Sequence, residues 1–277
     1  HMRSEDAEYR FRVESDVKLT ARFADGSGVL KFNTNGGSAI KDVTGDIGVL
    51  VDLRAYVPVR SGYEFAGWFA DAGLKTPVST VKLGEVPVVY AKWIWRCPFN
   101  DVTDKDWFFD DVQCVFEKGL MTGTSGSTFS PHMTVTRGMI ATVLYRMEGE
   151  PKVSADTKFT DVGKDQYYAK AVAWAESTGL VKGYGDGRFG PLDQITREQL
   201  AAILYRYAGY KHYDRSAKND LTLFTDKPSP WAADAVGWAV GSGFISGRGG
   251  GILDPQGSAR RCETAAILHR FLDVYAK

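Results

Sequence analysis

The sequence is poor in the residues that build reactive or metal-bound sites. It has three cysteines, Cys97, Cys114 and Cys262, and four histidines, His1, His132, His212 and His269. A small odd set of widely spaced thiols supports neither a disulfide framework nor a zinc site. No histidine stands near a nucleophile motif or a metal-ligand pattern, so no catalytic constellation, metal or cofactor is expected. Neither sign of charge is in excess, with 34 Lys plus Arg against 34 Asp plus Glu. That balance argues against nucleic acid or an acidic membrane surface as the main partner, because both select for basic excess. No apolar run approaches the roughly 18 residues of a membrane span. The chain opens His1-Met2 before a polar stretch, which reads as a cloning remnant rather than a signal peptide.

What is present is a globular composition, 44% hydrophobic and 13% aromatic over 277 residues, enough for two modest domains. Residues 97–277 also repeat internally. Phe99-Asn100-Asp101-Val102 recurs as Phe159-Thr160-Asp161-Val162 and as Phe224-Thr225-Asp226. An aromatic follows each time, Trp107, Tyr167 or Trp231, and then a glycine before an apolar residue at Gly119, Gly179 and Gly243. A Gly-rich loop reaches Pro131, Pro191 or Pro255, and Arg137, Arg197 or Arg261 then opens a helical pattern. Apolar spacing predicts two helices per unit, the first ended by its glycine at C′. Thr196 with Gln199 fits a capping box, and Thr136 can cap alone. Arg260 holds the cap position in the third copy, so that helix start must be satisfied differently. One such helix–loop–helix unit cannot bury its apolar face alone, whereas three can bury theirs against one another.

These motifs resemble the S-layer homology family, most fully in Gly179–Pro191 followed by Ile195-Thr196-Arg197-Glu198-Gln199. The resemblance covers about residues 97–277, with the first and third copies more degenerate in the loop. It implies a secreted surface protein of a Gram-positive cell, held non-covalently to the wall. The fold it implies is an all-α pseudo-threefold trimer of repeats from one chain, and hence a monomer. Its partner would be an anionic secondary cell-wall polysaccharide, often carrying pyruvate ketals, bound in grooves between repeats. The repeats are set at 96–155, 156–218 and 219–277.

Residues 29–95 are of another kind. Val29–Phe32 leads into the turn Asn35-Gly36-Gly37, the stretch Ser61-Gly62-Tyr63-Glu64-Phe65-Ala66-Gly67-Trp68-Phe69 follows, and Val88–Trp93 closes the segment. This resembles the internalin-type B-repeat (Listeria-Bacteroides repeat), implying a small β-grasp-like, β-rich domain with spacing or adhesive roles. Residues 13–23 resemble the closing strand of a preceding copy, so 1–28 is expected to hold the tag remnant and that strand's end.

The candidate ligand-binding residues are Arg137, Arg197, Arg261, Trp107, Tyr167, Trp231, Tyr184 and Asp186. A cation in the first turn of a helix opposes the macrodipole, so three such arginines suggest another use. Two uses fit: a fork for a ligand carboxylate beside free helix N–H groups, or a salt bridge to a neighbouring repeat. The second copy keeps the whole motif, which makes Arg197 the expected dominant contact. Trp107, Tyr167 and Trp231 fit stacking on a sugar ring and fit core anchoring equally. Tyr184 and Asp186 can meet sugar hydroxyls, or Asp186 can serve turn chemistry. Asp101, Asp104 and Asp106 lack the glycine and glutamate of a calcium loop and read as a solvated turn. The alternative function is an adhesin or scaffold that binds a protein partner.

Overall fold

The computed structural model describes residues 26–154 and 156–275, so the expected tag remnant and the strand at 13–23 lie outside the described residues. The chain divides into two compact units between Arg96 and Cys97.

The first unit is β-rich. Strands β1 (Ser27–Asn33), β2 (Val43–Asp46), β3 (Leu50–Asp52), β4 (Tyr63–Phe69), β5 (Pro77–Val78), β6 (Thr80–Lys82) and β7 (Val88–Trp95) follow in order, with a 3-10 turn at Leu53–Ala55. Five strands form one sheet in the order β2-β1-β7-β4-β5, and β3 pairs with β6 apart from it. The first and last strands lie side by side in parallel, Lys31 opposite Val88. Alternation along β1 and β7 sends Leu30, Val89 and Ala91 inward, where they meet Val51, Leu53, Trp68, Val81 and Leu83. Trp68 Nε1 donates to the Tyr56 carbonyl at 2.7 Å, satisfying its one polar atom in that core. Asn35 and Gly36 both take positive φ, 47° and 86°, in the turn after β1.

The second unit carries the repeats. Its helices are α1 (Phe109–Glu117), α2 (Arg137–Met147), α3 (Ala169–Ser177), α4 (Arg197–Tyr210), α5 (Ala233–Gly241) and α6 (Arg261–Tyr275). Gly119, Gly179 and Gly243 follow α1, α3 and α5 in the left-handed region at φ 67°, 73° and 76°. Thr196 and Gln199 form the capping box at the start of α4, and the Thr136 hydroxyl accepts from Met139 N. At α6 Glu263 Oε2 accepts from Arg260 N at 3.0 Å, and the first helical N–H groups, of Arg261 and Cys262, bond Met133 O and Pro131 O at 2.9 Å each.

The expectation of an all-α trimer of helix–loop–helix units is overturned by two observations. First, the two helices of a repeat are not each other's main partner. Instead α3 packs on α2, α5 on α4 and α1 on α6, so the first helix of each repeat lies against the second helix of another. Second, the segments entering α2, α4 and α6 pair as short antiparallel β-bridges, Thr134 with Arg260, Thr136 with Gln194 and Thr196 with Ser258. Their hydrogen bonds form a closed ring: Val135 N donates to Ala259 O, Ala259 N to Ile195 O, and Ile195 N to Val135 O, at 2.9, 3.0 and 2.9 Å. All three residues are buried. Three extended segments meeting at one point must satisfy their backbone groups, and pairing in a ring does so without a free edge.

Candidate functional site

Each repeat first fixes its own loop. The aspartate of the Phe-Thr-Asp motif accepts two consecutive backbone N–H groups on the loop before the next helix. Asp101 takes Phe129 N and Ser130 N, both at 2.7 Å. Asp161 takes Phe189 N and Gly190 N at 2.8 and 2.7 Å, and Asp226 takes Leu253 N and Asp254 N at 2.8 and 2.6 Å. The second residue of each pair is held at positive φ, 57° at Ser130, 70° at Gly190 and 54° at Asp254. The carboxylate offsets the strain of that turn by supplying two charge-assisted acceptors. Those N–H groups hold the Asp226 carboxyl below the usual range. Asp106, in turn, accepts from Thr103 N at 2.7 Å and shapes the turn before α1.

The loop then receives an arginine from another repeat. Arg137, Arg197 and Arg261 are 7%, 5% and 6% exposed. Arg137 Nε and Nη2 donate to Phe189 O and Lys182 O at 2.8 Å each. Arg197 donates to Leu253 O and Ser246 O at 3.2 and 2.6 Å, and Arg261 to Phe129 O and Thr122 O at 2.8 and 2.6 Å. Burial pushes all three guanidinium pKa values down from their ordinary level. The first-turn N–H groups expected to be free are in use: Arg137 N bonds Asp193 O, Arg197 N bonds Gly257 O and Arg261 N bonds Met133 O. The arginines therefore hold the seams between repeats through main-chain carbonyls. Of the three seam arginines, among the described residues, Arg197 alone lies within 4 Å of a carboxylate, its Nη1 standing 3.9 Å from Glu263.

The aromatics are placed unambiguously. Trp107, Tyr167 and Trp231 are 64%, 61% and 57% exposed, while the next residues, Phe108, Tyr168 and Ala232, are buried in their stead. Each exposed ring lines a groove with one of the seam arginines. Trp107 joins Arg197, Tyr167 joins Arg261 and Trp231 joins Arg137, in cavities of about 440, 480 and 120 Å³. In each groove the arginine, the aromatic and the loop come from three different repeats.

Tyr184 lies over Arg137 at 5.0 Å and donates to Asp193 at 2.9 Å, so the loop of repeat two serves the arginine of repeat one. Asp186 turns to Arg188, accepting from its backbone N–H and its guanidinium at 3.0 and 2.8 Å.

Sequence reasoning missed a second arginine in each groove: Arg146, Arg206 and Arg270 line the cavities of Arg261, Arg137 and Arg197. Each donates through Nη1 to the residue after the C′ glycine, Leu120, Leu180 or Phe244, at 3.1 to 3.3 Å. Their signal was present in the repeat, since each stands nine residues after the first arginine.

A family model for the S-layer homology domain matches residues 98–138, 158–201 and 223–265, and one for the Listeria-Bacteroides repeat domain matches 29–92. The chain carries three S-layer homology domains behind a Listeria-Bacteroides repeat domain. It is 28% identical over 227 residues to an amylopullulanase of Thermoanaerobacterium thermosulfurigenes, covering 80% of this chain and 12% of that protein. It is 32% identical over 177 residues to an endoglucanase of Bacillus sp. (strain KSM-635), covering 63% and 19%. A cellulosome-anchoring protein of Acetivibrio thermocellus is 27% identical over 158 residues, covering 56% and 35%. The chain thus spans under a fifth of the first two relatives and about a third of the other. Family and relatives together mark an anchoring module of a secreted protein at the cell surface.

Proposed function

We propose that the repeat unit ties its parent protein to the cell wall by equilibrium binding of an anionic wall polysaccharide, one bearing pyruvate ketals, in the grooves between repeats. The observation that carries this reading is the pairing of two arginines with one exposed aromatic ring in each groove. A guanidinium with an unused edge suits a carboxylate, and an exposed indole or phenol ring suits the apolar face of a sugar. Whatever further activity the parent protein has lies in other segments, and the module itself acts as a monomer.

Tyr167→Ala tests this. The ring is mostly solvent-exposed, so the melting temperature of the repeat unit should stay within about 1 °C of the wild type. Affinity for pyruvate-bearing wall polysaccharide, read by calorimetry, should fall about tenfold, ~1.4 kcal/mol. Undiminished affinity, or equal binding of polysaccharide stripped of its pyruvate, would overturn the reading.

A further inference from the structure

We propose that the grooves are unequal: the one under Arg261 and Tyr167 takes the anionic substituent, and Glu263 keeps the one under Arg197 and Trp107 closed to it. The inference rests on the polysaccharide reading above and adds which groove works and which residue decides.

Size removes one groove. The cavity beside Arg137 is about 120 Å³, below the roughly 300 Å³ at which ligand pockets begin, whereas the other two are about 440 and 480 Å³. The presence of a protein carboxylate in the lining then separates those two. In the Arg197 groove the loop supplies Arg248 and the first turn of α6 supplies Glu263. Glu263 accepts from Arg248 Nη2 at 2.9 Å and from Arg260 N at 3.0 Å, and lies 3.9 Å from Arg197 Nη1. Its side chain is only 16% exposed. Arg248 is held further by Asp254 and by Ser258 O. A carboxylate belonging to the protein already stands among the cations of this groove. A ligand carboxylate would meet Glu263 beside Arg197 and would have to displace these bonds in a half-buried site.

The Arg261 groove has neither group. The loop position of Arg248 is Thr124, and the helix position of Glu263 is Met139. Arg261 and Arg146 face the cavity with no carboxylate in its lining. Glu150, 3.9 Å from Arg146 Nε, has a side chain 62% exposed to solvent. This groove therefore presents Arg261 and Arg146 beside the Tyr167 ring with no protein carboxylate lodged among them, while in the Arg197 groove, of similar size, Glu263 already engages Arg197 and Arg248.

Glu263→Gln tests the idea with little risk to the fold. Gln199 occupies the equivalent place in α4 and there accepts from Thr196 N at 3.1 Å, so a glutamine can keep the helix-start bond. Titration calorimetry would use fragments of a pyruvate-ketal-bearing bacterial wall polysaccharide. The wild type should bind one fragment per chain, and Glu263→Gln two, the second within about tenfold of the first. Glu263→Met, which copies Met139, should give the same result. Trp107→Ala should abolish the second event in Glu263→Gln. Two fragments bound by the wild type, or one by both Glu263 variants, would overturn the proposal. Absence of binding in every form, wild type included, would overturn the polysaccharide reading itself.

Discussion

In the β unit the chain closes by laying its first strand beside its last, β1 against β7, over a core that is apolar apart from one satisfied indole nitrogen. In the repeat unit it also closes first element on last, α1 against α6, but that seam is pinned by a buried cation. Arg261 reaches from α6 to two carbonyls of repeat one, 132 and 139 residues away in sequence. The first kind of closure uses backbone ladder and dispersion; the second uses charge-assisted bonds to main-chain carbonyls, one buried and one nearer the surface at each seam. The difference matters for function. A residue of the β core serves the fold, whereas each seam arginine is at once part of the fold and part of a groove wall. Loss of binding on removing such an arginine is therefore not by itself proof of contact with ligand.

Calorimetric melting of single variants can break or sharpen this contrast. The largest effect is expected from Trp68→Ala, about 3–5 kcal/mol on the β-unit transition, through cavity formation and an orphaned Tyr56 carbonyl. The repeat-unit transition should not move, and a coupled shift in both would argue that the units fold as one. Arg261→Ala should follow, at about 3 kcal/mol on the repeat-unit transition, for two charge-assisted bonds lost and the buried Phe129 carbonyl left without its donor. Arg261→Lys should rescue little of it, since an ammonium cannot span both carbonyls as the planar fork does. A melting temperature unchanged in Arg261→Ala would show that the ring of β-bridges closes the unit unaided.

Asp226→Asn should cost less, about 1–2 kcal/mol, because an amide can accept one of the two N–H bonds but not both. It also carries a pH signature. The folded pKa of Asp226 is depressed below its unfolded value of about 3.9, so its contribution is present above that value and is lost as pH falls through the folded pKa. The wild-type repeat unit should lose stability below about pH 4 more steeply than Asp226→Asn. Parallel acid profiles for the two proteins would remove the clamp from the account.

Much of this was readable in one dimension. The C′ glycines, the Thr196 capping box and the unusual start of α6 all depend on residues within a few positions of each other. Local chemistry therefore dictates them wherever the helix packs. The recurrence of Asp101, Asp161 and Asp226 was equally visible, but its meaning was not. Each aspartate bonds a loop about 28 residues on, and no periodicity reports a carboxylate aimed at a backbone turn. The second arginines were passed over because Arg146, Arg206 and Arg270 sit on otherwise ordinary helical stretches. Only the seam shows what their nine-residue spacing serves.

The sequence by itself determined the two-part organisation, the three copies, the helix ends and the kinds of side chain each copy offers. Tertiary structure decided which copy's offering meets which. Sequence pairs Arg197 with its own loop of Tyr184 and Asp186, but folding pairs it with Ser246, Arg248 and Glu263 of the next repeat and Trp107 of the first. The reason is physical: the second helix of each repeat buries its stripe against the first helix of another, so every groove is assembled across seams. The ring of hydrogen bonds through Val135, Ala259 and Ile195 fixes that offset. A local motif specifies the chemistry of one wall, but the groove's net charge is the sum over three walls that come together only when the chain has closed.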